Sequence, residues 1–177
     1  MQLSPEQLKE IEEYIQTLPE EEREAKIKEI EKLKEIYNKI INSLKEEEFE
    51  QFQKSFFTEL TYNSNAIEGS SLSLEETSLV INEGIAPEGK TLREIHEAKN
   101  HAEALNFLKS YKKGDLTEEL ILKLHKIISK NILQRFSGRY RESQVKIFGT
   151  NVKFPPSQQV PQLVKNLIYW YKKNKSN

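Results

Sequence analysis

The chain has 177 residues with 27 basic and 28 acidic side chains, a formal net charge of −1, three histidines and no cysteine. The lack of cysteine excludes a disulfide framework, a thiolate zinc site, an iron–sulfur cluster and a cysteine nucleophile. No apolar run approaches the roughly 20 residues of a membrane span, and the first residues do not resemble a signal peptide, so we expect a cytoplasmic chain with no membrane partner.

Helix signals dominate the first third of the chain. The motif S-P-x-Q at residues 4–7 predicts the cap and first turn of a short helix that ends near residue 17, and Pro19 restarts the chain. A heptad seam about two heptads long follows, formed by Ile30, Leu33, Tyr37, Ile40 and Leu44. This length favours a helical hairpin, or an arm packed on the body, over an extended coiled coil.

Several further helices are predicted from caps and apolar faces. Phe49, Phe52, Phe56 and Leu60 form an aromatic stripe typical of a core. Capping boxes at Ser73 with Glu76 and at Thr91 with Glu94 begin two helices, which Gly84 and Gly114 end. The second of these has a face that we expect to be buried, formed by Ile95, Ala98, Ala102, Leu105 and Leu108. Asp115 or Thr117 caps the next helix, whose face contains Leu120, Leu124, Ile127 (or Ile128) and Leu133.

The pattern changes after Phe136. Two short runs rich in β-branched and aromatic residues, 144–148 and 151–154, flank Gly149 and predict a β-hairpin that Pro155 ends. Such a hairpin is marginal in water unless it packs on another element. A last helix begins near Pro161, with Leu163, Leu167 and Trp170 expected to face inward.

Charge is unevenly distributed along the chain. Residues 1–50 contain 15 acidic and 8 basic side chains, whereas residues from Lys109 onward contain 4 acidic and 15 basic ones. A helical surface with solvated lysines explains this distribution, and attraction to a nucleotide or nucleic acid is the alternative.

Spacing alone reveals no catalytic centre. The chain contains no phosphate-binding loop, nucleophile elbow or H-E-x-x-H zinc motif. His96 and His101 are five residues apart on one helix and cannot share a metal, and Glu97 with His101 supplies only two ligands. His125 lies beside an apolar stripe, which favours a packed or half-exposed histidine.

Three segments are unusual for a plain helical bundle. The run from Thr61 to Gly69 places Glu68 at a helix end, where an acidic side chain opposes the helix dipole and calls for a compensating cation. Two arginines flank Tyr140 in G-R-Y-R at residues 138–141. The predicted hairpin has a free edge that could recruit an extended peptide, although it could equally just cover the bundle.

Together these segments resemble the Fic/DOC family from about Thr58 to Tyr171. Ser64, Glu68 and Gly69 match the inhibitory motif [S/T]-x-x-x-E-[G/N], and residues 91–105 are similar to the first core helix of the family, with Glu97 and Asn100 at its recurrent polar positions. Residues 138–164 resemble the flap of the family. Its structural residues would be Gly138, Tyr140 and Arg141, and its target-docking residues would be Val145, Lys146, Ile147, Phe148 and Gly149.

The catalytic motif of the family has no counterpart in these 177 residues. Fic enzymes carry H-P-F-x-[D/E]-G-N-G-R-x-x-R, whose histidine deprotonates the target hydroxyl, whose acidic residue holds Mg²⁺, and whose last arginine binds the γ-phosphate of ATP. The resemblance implies that Glu68 pairs with that arginine and blocks productive ATP binding, and that Ser64 holds the helix end by hydrogen bonding. No catalytic residue and no metal ligand can therefore be assigned here.

The resemblance implies an all-α, Fic-like helical bundle with a small β-hairpin flap and an N-terminal helical arm. We expect residues 1–57 to form the arm and residues 58–177 an incomplete Fic-like domain. The chain would be the N-terminal part of a self-inhibited enzyme that transfers AMP from ATP to a protein hydroxyl, and inactive alone. ATP and Mg²⁺ would be used by the longer protein and bind poorly here.

Two other functions stay open from the sequence. One is a non-enzymatic regulator that supplies Glu68 in trans to a separate Fic partner, although an inhibitor has no need of a flap. The other is a helical interaction or nucleic-acid module that uses the basic C-terminal half. It would require binding with a steep salt dependence and ranks last, and a nucleic-acid partner is not expected. A homo-oligomer also stays open.

Overall fold

The computed structural model describes residues 19–111, 114–147, 149–150 and 152–174. All regular structure in these ranges is helical, which confirms the all-α prediction. The chain separates into two compact units, Met1–Phe56 and Phe57–Asn177. The helix predicted for residues 4–17 lies outside the described residues.

The part of the first unit that the structure describes, from Pro19 onward, contains one long helix and the start of a second. Helix α1 runs over Glu20–Ser43, where lysine and glutamate alternate with apolar residues and neither glycine nor proline interrupts. The extended backbone of Leu44 ends it, and α2 then runs over Glu46–Ile67. The Lys45 backbone N–H donates to Oε2 of Glu48 at 2.8 Å at the start of α2.

The aromatic stripe of α2 is only partly buried: Phe49 and Leu60 are half-buried. Phe52 and Phe56 are exposed, and their rings stack on each other with centroids 6.2 Å apart. The prediction that this stripe is buried is therefore wrong for these two rings. The spacing of apolar residues along a helix identifies an apolar face, but it does not show which element, if any, covers that face.

Two of the predicted caps begin helices in the second unit. Ser73 and Glu76 form a capping box that starts α3 over Leu74–Ser78, which continues into a π-helical turn over Leu79–Glu83. Thr91 and Glu94 form the box that starts α4 over Leu92–Ser110. Both predictions are confirmed, because a capping box depends only on residues three apart.

The remaining helices complete the second unit. Thr117, rather than Asp115, is the N-cap of α5 over Glu118–Ile128. A 3₁₀ turn over Ser157–Gln159 precedes α6 over Val160–Asn174.

The core of the second unit is small and lies between the segment before α3, the π-helical turn and α4. It contains Leu72, Val80, Ile95 and Ala98, with Ile81 packed against them. Leu120 and Ile127 on α5 and Ala104 on α4 are also buried, as are Thr58 and Thr61 near the end of α2. The C-terminal part of α2 therefore belongs to the body that α4 organises.

Parts of the predicted buried faces are exposed. Leu108, Ile128 and Leu133 are exposed, and Ala102, Leu105 and Leu124 are half-buried. On α6, Leu163, Leu167 and Trp170 are exposed, so the prediction that they face inward is wrong. An amphipathic pattern indicates an apolar face, but burial needs a neighbouring element to pack on it.

The β-hairpin is also a wrong prediction for the described part of this segment. Residues 141–147, 149–150 and 152–155 contain no strand. Side chains rather than a backbone ladder hold this loop together. A two-stranded hairpin without a third strand is at best marginally stable in water. In this loop, side-chain contacts take the place of the backbone hydrogen bonds between strands.

Candidate functional site

Helix α2 ends in a Schellman motif that fixes the position of Glu68. The Ser70 N–H donates to the Asn65 carbonyl and the Gly69 N–H donates to the Ala66 carbonyl, each at 3.0 Å. Gly69 has a φ of 93°, a left-handed conformation that glycine adopts without strain. Glu68 is therefore the last residue before the chain leaves the helix.

The side chain of Glu68 is exposed and forms no ion pair with any described residue. A carboxylate at a helix C-terminus is repelled by the helix dipole, which favours pairing with a cation. Ser64, one turn earlier, is half-buried. The Asn65 Nδ2 atom is buried and has no hydrogen-bond partner among the described residues. This helix end therefore carries an exposed anionic group and, separately, a buried donor that no described residue uses.

The segment after Gly69 is fastened to α4 by charged side chains. The Ser71 backbone N–H donates to Oε1 of Glu94 at 2.7 Å, and Nζ of Lys90 donates to the Ser71 carbonyl at 2.6 Å. The same Nζ lies 2.9 Å from Oε2 of Glu76. We call Ser71, Glu76, Lys90 and Glu94 the loop clamp. It holds the chain directly after Glu68 in one place.

The pKa values of the two clamp carboxyl groups are consistent with these contacts. Hydrogen bonds from the Ser71 and Thr91 backbones and side chains lower the pKa of Glu94 from 4.5 to about 2. The Ser73 backbone N–H, followed by Lys90, lowers the pKa of Glu76. These donors bind a carboxylate more strongly than a neutral carboxyl group. They therefore favour the ionised form of both Glu76 and Glu94.

The two recurrent polar residues of α4 have different partners. Glu97 accepts a hydrogen bond of 2.8 Å from Nε of Arg93, one turn earlier on the helix surface. Asn100 is buried, and its Nδ2 donates to the carbonyls of Ile128 at 2.9 Å and Lys130 at 2.6 Å. Asn100 therefore satisfies carbonyls at the C-terminal end of α5 and fixes α5 on α4.

A contact that spacing could not predict joins α2 to α4. Oγ1 of the buried Thr61 lies 3.0 Å from Nδ1 of His101. Burial lowers the pKa of His101, which favours its neutral form. Because the two residues are 40 positions apart, the only hint in the sequence is a histidine beside an apolar helix face.

The start of the flap packs closely on α5. A Cβ on Gly138, whose φ is 69°, would lie 2.9 Å from Cβ of Lys126 and 3.3 Å from the Leu122 carbonyl oxygen. Tyr140 donates from its hydroxyl to Oε1 of Glu118 at 3.1 Å. Burial and then Glu118 raise the pKa of Tyr140. Gly138 and Tyr140 thus attach the flap to α5.

Side chains close the rest of the flap. Arg141 donates through Nη1 to the Ser143 carbonyl at 2.9 Å and through Nη2 to the Pro155 carbonyl. Nε2 of Gln144 donates to the Phe154 carbonyl at 3.0 Å. The flap surrounds an open hollow of about 420 Å³. This hollow is lined by Gln144, Val145, Lys146, Ile147, Thr150, Val152, Lys153 and Phe154.

The docking residues predicted in the flap are exposed where they are described. This holds for Val145, Lys146, Ile147 and Gly149, whereas Phe148 lies outside the described residues. No ion pair or side-chain hydrogen bond of the described residues links the flap to Glu68, Glu97 or Asn100. The predicted residues therefore fall into three local groups.

The described residues show no cluster of metal-ligating side chains. They contain no group of three histidine, aspartate or glutamate side chains arranged to hold a metal, and the sequence contains no glycine-rich phosphate loop. No helix in the described ranges has the length and apolar character needed to cross a bilayer.

Comparison with known proteins gives a family match for the C-terminal part. Residues 115–177 match the model described as the Fic/DOC family. The chain is 30% identical over 95 residues to a protein adenylyltransferase Fic of Nematostella vectensis, covering 52% of this chain and 22% of that protein. It is 31% identical over 113 residues to the protein adenylyltransferase fic-1 of Caenorhabditis elegans, covering 62% of this chain and 22% of that protein.

Solved structures show the same fold. A Fic domain containing signaling protein from Bacteroides thetaiotaomicron is 25% identical with a TM-score of 0.66, covering 81% of this chain and 56% of that one. Fic-1 of C. elegans is 22% identical with a TM-score of 0.69, covering 86% of this chain and 45% of that one. The chain therefore spans about a fifth of the length of the curated relatives and about half of these structures.

Proposed function

We propose that this chain, whose residues 115–177 match the Fic/DOC family, supplies the regulatory and target-docking parts of a protein adenylyltransferase. The proposed reaction forms a bond from the hydroxyl oxygen of a serine, threonine or tyrosine of a target protein to the α-phosphorus of ATP and releases pyrophosphate. The curated relatives named protein adenylyltransferases support this class of reaction. We further propose that the residues contacting ATP and Mg²⁺ lie outside these 177.

The observation that carries the regulatory part is the end of α2. The Schellman motif leaves the Glu68 carboxylate exposed and without an ion-pair partner among the described residues. In the proposal, the last arginine of the catalytic motif forms an ion pair with Glu68. An arginine held in this way is not available to the γ-phosphate, and a charge-assisted pair of this kind is suited to a switch.

The neighbours of Glu68 support a fixed inhibitory position. Ser64 lies one turn before Glu68 on α2, and Thr61 is buried against His101. The loop clamp holds Ser71 from the other side. The Glu68 backbone is therefore restrained both before and after the helix end. In this arrangement, relief of inhibition requires only that the ion pair between the Glu68 side chain and the arginine of the catalytic motif breaks.

The flap is the proposed docking site for the target segment. Val145, Lys146 and Ile147 are exposed, and side chains rather than a strand ladder hold the loop closed. Their backbone groups can therefore accept an extended peptide as an added strand. Such docking would bring the target hydroxyl towards the α-phosphate and contribute through positioning.

The test uses a longer chain that continues into an H-P-F-x-[D/E]-G-N-G-R-x-x-R segment, incubated with ATP labelled on the α-phosphate. We expect Glu68→Gly to increase labelling of the enzyme or a bait protein at least about tenfold. Glu88→Gly, at an exposed loop glutamate, is the matched control and should label like the wild type. Equal labelling by the wild type and Glu68→Gly refutes the inhibitory role.

The 177-residue chain alone gives a second test. We expect no AMP transfer from it, with or without Glu68. Transfer by the chain alone would contradict the proposal that the ATP-contacting residues lie elsewhere.

A further inference from the structure

Helix α1 exposes a continuous stripe of large apolar side chains. They are between 44% and 64% exposed. The stripe comprises Ile27, Ile30, Leu33, Ile36, Tyr37 and Ile40. Scattered apolar residues are normal on a protein surface, but a contiguous row along one helix marks an interaction surface. Neither the family match at residues 115–177 nor the proposed function uses this helix.

The spacing of the stripe is that of a two-stranded coiled coil. Ile30 and Tyr37 occupy a positions of a heptad, and Leu33 and Ile40 occupy the following d positions. Ile36 is at g and Ile27 at e, so both flank the same seam. At 24 residues, α1 is about 36 Å long. The apolar a and d positions occupy about two heptads of it, because Arg23 and Lys26 stand at the preceding a and d positions. The partner that fits this seam is another helix with the same repeat.

We propose that the α1 seam is the interface with a second copy of this chain, with the two α1 helices side by side and parallel. Charge decides the occupant and the direction. Glu29 is at g and Lys34 is at the next e, and both are exposed. In a parallel pair, Glu29 faces Lys34 of the partner subunit, and two-fold symmetry gives this attractive pair twice.

An antiparallel pair is less favourable for the same residues. Pairing Ile30 with Ile40 of the partner subunit, and Leu33 with the partner's Tyr37, places Lys34 near the partner's Lys34. Like charges at that distance repel. The acidic first turn of α1, Glu20, Glu21 and Glu22, is stabilised in each copy by the dipole at its own helix N-terminus. These glutamates lie before the apolar part of the seam.

The first test measures the mass of the 177-residue chain by sedimentation equilibrium over a range of concentrations. We expect a reversible dimer. Leu33→Glu removes a d residue and buries a charge in both copies, so it should raise the dimer dissociation constant at least about tenfold. Lys28→Glu adds the same side chain at the outer f position and should leave the constant within about twofold. A wild-type monomer at every concentration overturns the proposal.

Charge reversal tests the direction independently. Glu29→Lys alone and Lys34→Glu alone each place like charges across the interface and should weaken the dimer about threefold or more. The double variant Glu29→Lys with Lys34→Glu restores opposite charges and should return to the wild-type constant. Additive weakening in the double variant contradicts the parallel arrangement.

Cross-linking gives a readout that does not depend on stability, because the chain has no cysteine of its own. Under mild oxidation, Ile30→Cys and Ile40→Cys should each form a disulfide with another copy of the same variant. Lys28→Cys, on the outer face, should stay reduced. Cross-linking only in a mixture of the Ile30→Cys and Ile40→Cys variants would establish antiparallel helices and overturn the parallel arrangement.

Discussion

The Ser71 backbone N–H donates to Oε1 of Glu94 at 2.7 Å and joins the segment after α2 to the first turn of α4. Glu94 at the same time accepts from Thr91 through the capping box. One carboxylate thus caps a helix and holds a loop that comes 23 residues earlier. We expect its loss to loosen the loop that follows Glu68.

Glu94→Ala should accelerate hydrogen exchange of the Ser71 amide at least about tenfold, because the N–H loses the carboxylate that accepts its hydrogen bond. Glu97→Ala, three residues further along α4, removes the surface pair with Arg93 and is the control. NMR-detected exchange measures both variants. Unchanged Ser71 exchange in Glu94→Ala would show that this contact does not hold the loop.

The loop clamp should also weaken in acid. The pKa of Glu94 is lowered from 4.5 to about 2 in the folded chain, so its contribution to stability is complete above pH 4.5 and disappears as the pH falls towards 2. The amide shift of Ser71 should therefore titrate with a midpoint near 2 in a pH series followed by NMR. A midpoint near 4.5 would mean that Glu94 is not held by these donors.

His101 predicts a second pH effect of the same direction at higher pH. Burial lowers its pKa in the folded state below 6.5, so the unfolded chain binds the proton more strongly. The contribution of neutral His101 to the free energy of unfolding is thus present above pH 6.5 and decreases as the pH falls below that value. The thermal midpoint of the wild type should fall further between about pH 7.5 and 5.5 than that of His101→Gln. Equal falls would exclude His101 as the source.

Gly138→Ala should destabilise the second unit by about 2–4 kcal/mol, through left-handed strain and overpacking. The new Cβ would lie 2.9 Å from Cβ of Lys126, which is close to the backbone and cannot move away freely. Gly149→Ala is the matched control. Gly149 also has a positive φ, but a Cβ added there would have no atom within 4 Å, and the substitution should cost about 1 kcal/mol. Urea denaturation of both variants compares them, and equal losses would exclude the close approach to α5.

Asn100→Ala should cost about 2–4 kcal/mol, because it leaves the Ile128 and Lys130 carbonyls without their buried donor. Asn166→Ala, on the exposed surface of α6, removes an amide that accepts a hydrogen bond from Gln162 and is the control. The same denaturation experiment measures both. A loss below about 0.5 kcal/mol for Asn100→Ala would mean that water replaces this donor.

The sequence predicts what depends on near neighbours in the chain. The boxes at Ser73 with Glu76 and Thr91 with Glu94 need only residues three apart, and both are present. The contacts of Ser71 with Glu94, Thr61 with His101, and Asn100 with Ile128 depend on packing across 23 to 40 positions. No local pattern encodes them, since each partner is an ordinary polar group, of a side chain or of the backbone, in its own segment.

The wrong predictions also have a common physical cause. The apolar stripe of α6 and the runs around Gly149 have suitable periods, but a period states which residues share a face and not what lies opposite. Trp170 is exposed on α6, and Arg141 and Gln144 close the flap with side-chain bonds that alternation does not predict.

Helix α2 is uninterrupted between Thr61 and its end. The number of residues between Thr61 and Glu68 therefore sets the direction of Glu68 around the helix axis relative to Thr61. Thr61 is fully buried, and seven residues make nearly two complete turns, so Glu68 leaves the helix close to the same side. Inserting or deleting one residue in this interval would rotate the carboxylate by about 100° around the axis. In the proposed regulation, the direction in which Glu68 leaves the helix decides whether its ion pair can form. A change of length would therefore prevent the ion pair even if every residue of the motif were kept.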